Sequence, residues 1–393
     1  MMRLGYFADS YRPYVSGVVQ SIDTFSRELR RRGHFIKVFA PRYPKGNQLD
    51  DLEVYRYPSF NTPFYPEFYI GLPLSWGAKK FVRDLHLDLI HVHSPFSLGH
   101  VGASMARRLE LPLVFTYHTM YDQYVHYFPF ARRLAQKTMI SIATRFCNHC
   151  DLVITPTVVI EKLLRSYGVT VPIVSIPTGI DTRLFEEGDR YFLRDRLAIA
   201  PEEKILLFVG RLSKEKNLDS LFRVFGRVLQ GDRNVTLVLA GSGPDEESLR
   251  QLAVEMGIAE KLAFTGRLSN EEVAGAYKSA DIFVFPSLTE TQGLVLVEAM
   301  AGGLAVVARS AFGSVAIVND GVTGYLCDSE EAFAERICEL LQNQTLRRRM
   351  GEAAIARAQG LTAEKMAIRL EKAYQALIAK DRGALEQLAG EEI

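Results

Sequence analysis

The sequence predicts an α/β protein made of two doubly wound, Rossmann-like domains in series. Three observations lead there. Apolar strand-like runs alternate with helix-period segments along nearly the whole chain, the pattern of a parallel sheet flanked by helices. At 393 residues the chain exceeds the size to which one core keeps growing. A stretch bearing proline and glycine, Pro177-Thr-Gly-Ile-Asp-Thr-Arg-Leu-Phe185, interrupts the alternation near the middle and reads as the approach to an interdomain linker.

Residues 3–8 read as the first strand and 9–17 as a polar, aromatic loop. A helix follows, with Val18, Ile22, Phe25 and Leu29 at helical spacing, Arg30, Arg31 and Arg32 at its C-terminus and Gly33 as its stop. Strands are expected at 35–40, 87–92, 113–117, 152–155 and 173–176, and helices near 74–84, 98–109, 130–147 and 157–167. A second alternation begins at Ile205. Its strands fall near 205–209, 235–240, 262–265, 281–285, 304–307 and 324–326, and its helices near 217–229, 245–256, 270–278 and 293–302. The tail, 330–380, is helical. Domains 1–185 and 186–365 result, with ligands expected at the carboxyl ends of the strands, in a cleft that the two domains face.

Composition is that of a globular protein, with 48% hydrophobic and 24% charged residues. No uncharged apolar run is long enough to span a bilayer, and the first residues lack the apolar core of a signal peptide, so a cytoplasmic location is expected. Net charge is +1, yet residues 1–185 carry 22 Lys+Arg against 14 Asp+Glu, and 186–393 carry 25 against 32. A basic half suits an anionic surface, either nucleic acid or membrane. Nucleic acid is disfavoured, because no recognisable DNA- or RNA-binding module is present. Cys147 and Cys150 form a C-x-x-C, but no second ligand pair lies at zinc spacing, and small buried thiols are the ordinary reading.

The stretch Phe285-Pro-Ser-Leu-Thr-Glu-Thr-Gln-Gly-Leu-Val-Leu-Val-Glu-Ala-Met-Ala-Gly-Gly303 is strand end, polar loop and helix. A helix N-terminus there aims unpartnered amides at the loop, a setting that holds anions. Glu290 lies in the loop, and Glu298 lies inside the helix, too far in to cap it. Glu290 and Glu298, with Ala299-Met-Ala-Gly302 around the second, resemble the paired-glutamate motif of retaining GT-B glycosyltransferases. The resemblance implies two Rossmann-like domains, a C-terminal helix (366–393) crossing back to the first domain, and a nucleotide-sugar donor. It implies that Glu290 and the amides of Thr291, Gln292, Gly293 and Leu294 lie at the donor sugar and diphosphate. Glu298 would hold the ribose hydroxyls.

Other places agree. Phe208-Val-Gly-Arg-Leu-Ser-Lys-Glu-Lys-Asn217 follows a strand, and it closely resembles the family's diphosphate site. Arg211 can fork two phosphate oxygens there and Lys216 adds a point charge. Ser16-Gly-Val18 places Gly17 where loop meets helix, as a phosphate contact or as a plain turn; many GT-B enzymes have two glycines here. In Phe264-Thr-Gly-Arg-Leu268 the resemblance assigns the amides of Arg267 and Leu268 to the nucleotide base, although a bare turn explains the stretch nearly as well. In Thr116-Tyr-His-Thr-Met-Tyr-Asp122 it puts His118 at the donor sugar. One histidine in isolation reads as structural.

The segment from Tyr117 to Tyr127, which includes Tyr121 and Asp122, and Glu290-Thr-Gln-Gly293 are similar to bacterial diacylglycerol glucosyltransferases. Downstream, Arg132, Arg133 and Lys137 sit among apolar residues in a basic amphipathic helix. It reads as membrane-surface binding or as an ordinary helix with one solvated face. The expected activity is therefore transfer of a hexose, with retention, from UDP-glucose to a lipid such as diacylglycerol at an anionic membrane, placing the protein on the inner face of the cell membrane. A soluble or phosphorylated acceptor, or a non-catalytic nucleotide-sugar-binding role, are the alternatives. No Asp-x-Asp pair occurs, so neither metal nor other cofactor is expected. A dehydrogenase reading fails because Asp9-Ser-Tyr-Arg-Pro-Tyr14 follows the first strand where G-x-G-x-x-G would stand.

Overall fold

The computed structural model describes residues 1–44, 53–62, 65–73, 77–120 and 132–391, with the side chains of 62, 65–68, 132 and 133 outside that description. The chain forms two compact units, Met1–Gly179 with Ala363–Ile393, and Ile180–Thr362.

Unit 1 contains β1 (Arg3–Phe7), α1 (Gly17–Arg31), β2 (Phe35–Pro41), β3 (Val54–Tyr57), β4 (Ser59–Thr62), β5 (Tyr65–Gly71), α2 (Ala78–Asp84), β6 (Leu89–Val92), α3 (Ser97–Leu109), β7 (Leu113–Thr116), α4 (Arg132–Asn148), β8 (Leu152–Thr155), α5 (Val158–Ser166) and β9 (Ile173–Ser175). Seven strands form one sheet in the order β3-β2-β1-β6-β7-β8-β9, and every pairing in it is parallel. Arg3 stands opposite Phe35 on one side of β1, and Leu4 opposite Leu89 on the other. β1 thus has β2 on one side and β6 on the other, and the strand order reverses there. Loops at such a switch point are where this kind of sheet takes its ligands. The sheet is covered on both faces, so β6, β7 and β8 are buried throughout. The antiparallel pair β4–β5 and the edge strand β3 are additions that the sequence reading did not contain. Aromatic residues dominate these short runs, and neither has the apolar continuity of a central strand.

Unit 2 contains α6 (Thr182–Glu186), α7 (Phe192–Leu197), β10 (Lys204–Val209), α8 (Leu218–Gly231), β11 (Val235–Ala240), α9 (Glu246–Glu255), β12 (Leu262–Gly266), α10 (Asn270–Ser279), β13 (Ile282–Phe285), α11 (Leu294–Ala301), β14 (Ala305–Arg309), α12 (Phe312–Ile317), β15 (Gly324–Cys327), α13 (Glu330–Gln342) and α14 (Gln344–Gln359). Its sheet is six parallel strands in the order β12-β11-β10-β13-β14-β15. Here β10 lies at the reversal. Short helices α6, α7 and α12 escaped the periodicity, because one or two turns are too short to show it.

The last helices, α15 (Ala363–Ile378) and α16 (Arg382–Gly390), belong to unit 1. α15 packs on α1 and ties itself down with polar contacts. Tyr374 Oη lies 2.8 Å from Tyr6 Oη, Arg369 Nε donates to the Ser175 carbonyl at 3.3 Å, and Glu371 pairs with Arg32. Cys147 and Cys150 stand at the end of α4 and just beyond it, both buried, and burial pushes the Cys147 thiol up to about 12. Such thiols are inert.

Candidate active site

In unit 2 the loops that follow β10, β11, β12 and β13 emerge at the carboxyl edge of adjacent strands. The loop after β13 is held from below. Ser287 Oγ donates to the Glu215 carbonyl at 3.2 Å, Thr289 Oγ1 donates to the same oxygen at 3.4 Å, and Asn217 Nδ2 donates to the Pro286 carbonyl at 3.2 Å. Lys216, at the end of the 3-10 turn Lys214–Lys216, forms an ion pair with Glu290. The structure therefore brings together two side chains that the sequence places 74 positions apart. Their side chains retain 19% and 24% exposure, enough for both to meet a ligand.

Arg211 is exposed, and it makes no side-chain hydrogen bond or ion pair with any described residue. A guanidinium so placed is ready to take a phosphate. Gly293 caps α11 in the left-handed conformation (φ 74°), and no side chain caps the helix. A residue with a Cβ would be strained there and would strike Leu296 Cδ1 at 2.9 Å. The amides of Leu294 and Val295 follow directly on the loop that holds Glu290, Thr291 and the buried Gln292, while Leu296 N donates to the Gly293 carbonyl at 2.9 Å. Glu298 is buried on the same helix, at 9% exposure, and accepts a hydrogen bond from Tyr277. Arg267 is exposed and Leu268 half-buried just past β12, before a capping box that starts α10 at Ser269. Gly241 N donates to the Gly266 carbonyl at 3.0 Å, which ties the turn after β11 to the end of β12.

In unit 1, Gly17 is the first residue of α1, exposed, with Ser16 Oγ accepting from Val19 N at 3.3 Å. His118 lies two residues past β7 and is half-buried. Its Nε2 is 3.1 Å from His93 Nδ1, and the His93 ring stacks on His91 at 4.2 Å between centroids. His91 bonds Thr116 through Nε2 at 2.7 Å and Tyr374 through Nδ1 at 2.5 Å. Burial pulls the His118 pKa down to about 3 and holds those of His91 and His93 well below the ordinary value. All three imidazoles are neutral at physiological pH. A neutral ring can accept or donate a hydrogen bond without competing for the charge of a phosphate.

Of the expected acceptor and membrane residues, Tyr121 and Asp122 lie outside the described residues. Arg132 and Arg133 are in the first turn of α4, and Lys137 is exposed on that helix. No described helix is long and apolar enough to cross a membrane. Among the described residues no group of three or more His, Cys, Asp or Glu could hold a metal ion. Sequence reasoning missed His91 and His93, whose signal is a His-x-His at a strand end. It also missed Gly313 of α12, where a Cβ would meet the Glu290 carbonyl oxygen at 2.9 Å, so that helix packs directly on the glutamate loop.

This fold defines the class first. Sucrose-phosphate synthase from Thermosynechococcus elongatus superposes with a TM-score of 0.76 at 22% identity, over 97% of this chain and 100% of that one. Anabaena HepE, solved in complex with UDP-glucose, does so with a TM-score of 0.76 at 20% identity, over 96% and 100%. The shared architecture is the GT-B glycosyltransferase fold.

Sequence then narrows it. Residues 15–184 match the model of Glycosyltransferase Family 4, and 189–357 match that of glycosyl transferases group 1. An alpha-monoglucosyldiacylglycerol synthase of Streptococcus pneumoniae is 36% identical over 86% of this chain and 78% of that protein. One from Acholeplasma laidlawii is 30% identical over 98% and 100%. A GDP-mannose-dependent alpha-mannosyltransferase of Corynebacterium glutamicum is 32% identical over 83% and 77%. The chain belongs to this glycosyltransferase family, and it is a nucleotide-sugar-dependent hexosyltransferase.

Proposed function

We propose that the protein transfers glucose from UDP-glucose to a lipid acceptor, diacylglycerol, with retention of the anomeric configuration and without a metal ion. The observation that carries the reading is the match to two alpha-monoglucosyldiacylglycerol synthases, one of them spanning 98% of this chain. Arg211, without a side-chain partner among the described residues, the Lys216–Glu290 pair and the N-terminal amides of α11 are the groups that support a metal-free diphosphate site.

In this reading the acceptor hydroxyl attacks the anomeric carbon from the face the leaving group departs. The bond from that carbon to the phosphate oxygen breaks as the new glycosidic bond forms, and the hydroxyl proton passes to the departing phosphate. Arg211, Lys216 and the amides of Gly293 and Leu294 offset the developing charge, the large electrostatic term in such transfers. Gly17 of unit 1 is assigned to phosphate, His118 and Glu290 to the sugar, Glu298 to the ribose, and the amides of Arg267 and Leu268 to the base. The lipid surface is met by Arg132, Arg133 and Lys137, as a peripheral contact on the inner face of the cell membrane.

A second reading, mannose from GDP-mannose, is favoured by the match to the Corynebacterium mannosyltransferase. The test is incubation with UDP-glucose or GDP-mannose and diacylglycerol in anionic mixed micelles, with the product's anomeric proton read by NMR. An α-glucosyl diacylglycerol supports the proposal. Product from GDP-mannose alone favours the second reading, and UDP released only with a water-soluble acceptor removes the lipid.

A further inference from the structure

Tyr277 lies in α10 with its ring fully buried, edge-on to Phe185 (5.7 Å, 66°) and tilted against Phe283 (5.6 Å, 56°). From that position its hydroxyl donates to Glu298 Oε2 at 3.1 Å and stands 3.3 Å from the Val295 carbonyl oxygen. A Cβ on Gly302 would come within 2.8 Å of Tyr277 Cβ. Val295 and Glu298 of α11 and its C-cap Gly302 are spaced three and four apart, so they form one stripe. One tyrosine therefore touches the helix nearly end to end and grips its single carboxylate.

A phenol has one proton to give, and the charged acceptor at the shorter distance takes it. Burial, with the Glu298 charge adding to it, pushes the phenol pKa well above its ordinary value, so Tyr277 stays a donor at every working pH. A glutamate side chain turns about three torsions. Where it is buried, its direction is set by its hydrogen-bond partners, Tyr277 among them, rather than by solvent. A ligand's hydroxyls need that direction held before they arrive, because ordering it later costs binding.

We propose that Tyr277 is the positioning residue for Glu298: it fixes the carboxylate in the orientation that accepts the two ribose hydroxyls of the donor. The proposal rests on the reading of Glu298 as the ribose-binding group. It adds a residue on a different helix, with no contact to the nucleotide of its own.

The experiment is equilibrium binding of UDP and GDP, and of their 2′,3′-dideoxy counterparts, to the full-length protein. Wild type, Tyr277→Phe and Glu298→Gln are compared, and the readout is the ratio of ribose to dideoxyribose affinity. Tyr277→Phe keeps the ring and its packing and deletes one oxygen. The expected result is a preference for ribose of about tenfold or more in wild type, lost in Glu298→Gln. Tyr277→Phe should lose most of it while binding the dideoxy nucleotide within about twofold of wild type. A purely structural tyrosine would lower both affinities together and leave the ratio intact, which overturns the proposal. Loss of the preference in Glu298→Gln but not in Tyr277→Phe sinks Tyr277 and spares the ribose reading. No preference in wild type, or an unchanged one in Glu298→Gln, sinks that reading and the proposal with it.

Discussion

Lys216 and Glu290 neutralise one another across two loops, one following β10 and the other following β13. Without a ligand the pair contributes no net charge, and under the proposed function the exposed Arg211 is the cation that first meets a diphosphate. In that proposal, once phosphate arrives Lys216 turns toward it and Glu290 toward the sugar hydroxyls. Each side chain holds the other near its place until then. Glu290→Gln should therefore strengthen UDP binding a few-fold, since about 1 kcal/mol of attraction between Lys216 and Glu290 is released to the phosphate. The same variant should lose about 100-fold or more in kcat, because the sugar contact is made by the carboxylate. UDP affinity by calorimetry beside steady-state turnover checks both. A variant that binds UDP more weakly contradicts the assignment.

Arg211→Ala should cost about 2–4 kcal/mol in kcat/KM, the usual loss for one preorganised charge contact to a leaving group. Arg211→Lys should recover little, because a point charge does not reproduce a fork on two oxygens. Kinetics of both variants with UDP-glucose, beside a thermal melt that shows them folded, is the measurement. Near-normal kcat/KM in Arg211→Ala would remove Arg211 from the diphosphate site.

Activity should persist in EDTA. The proposed mechanism has fixed cations and helix amides act on the departing diphosphate in place of a divalent ion, and the chain has no Asp-x-Asp pair to hold one. Complete loss of turnover in chelator, restored by magnesium or manganese, would disprove the metal-free route.

The histidine row gives a pH dependence with a definite sign. Burial depresses His91, His93 and His118, so the unfolded chain binds more protons than the folded one whenever pH falls below the ordinary histidine value. Their contribution is present in full above about pH 6.5 and is lost as pH falls from there toward the depressed values, at about 1.4 kcal/mol per pH unit for each proton. Urea midpoints between pH 7.5 and pH 5 should fall for the wild type. His91→Gln should show a shallower fall. Equal slopes would mean that His91 is not held neutral.

Membrane attachment through Arg132, Arg133 and Lys137 should be visible in vesicle co-sedimentation. Each cation at an anionic surface contributes about 1 kcal/mol, so the triple Ala variant should partition roughly two decades less. Raising the salt should weaken the wild type toward the variant. Wild-type protein that ignores anionic vesicles at low salt would leave the lipid acceptor without its electrostatic support.

Much of this is legible in the sequence. Period and length expose long strands and helices because a parallel sheet buried on both faces demands continuous apolar runs, and β10, β11 and β13 have them. The spacing of Glu290 and Glu298 and the Gly-Arg-Leu-Ser-Lys string were visible as motifs, because each is local in the chain. What only the tertiary structure decided is non-local. It joined Lys216 to Glu290 across 74 positions, set Tyr277 of α10 on the carboxylate of Glu298, and stacked His91 and His93 beside His118. It also placed Tyr374, near the chain's end, on a histidine 283 positions earlier. Periodicity carries no information about which strand end lies beside which. That is settled by the order of strands in a sheet, and the order follows from how whole faces bury one another.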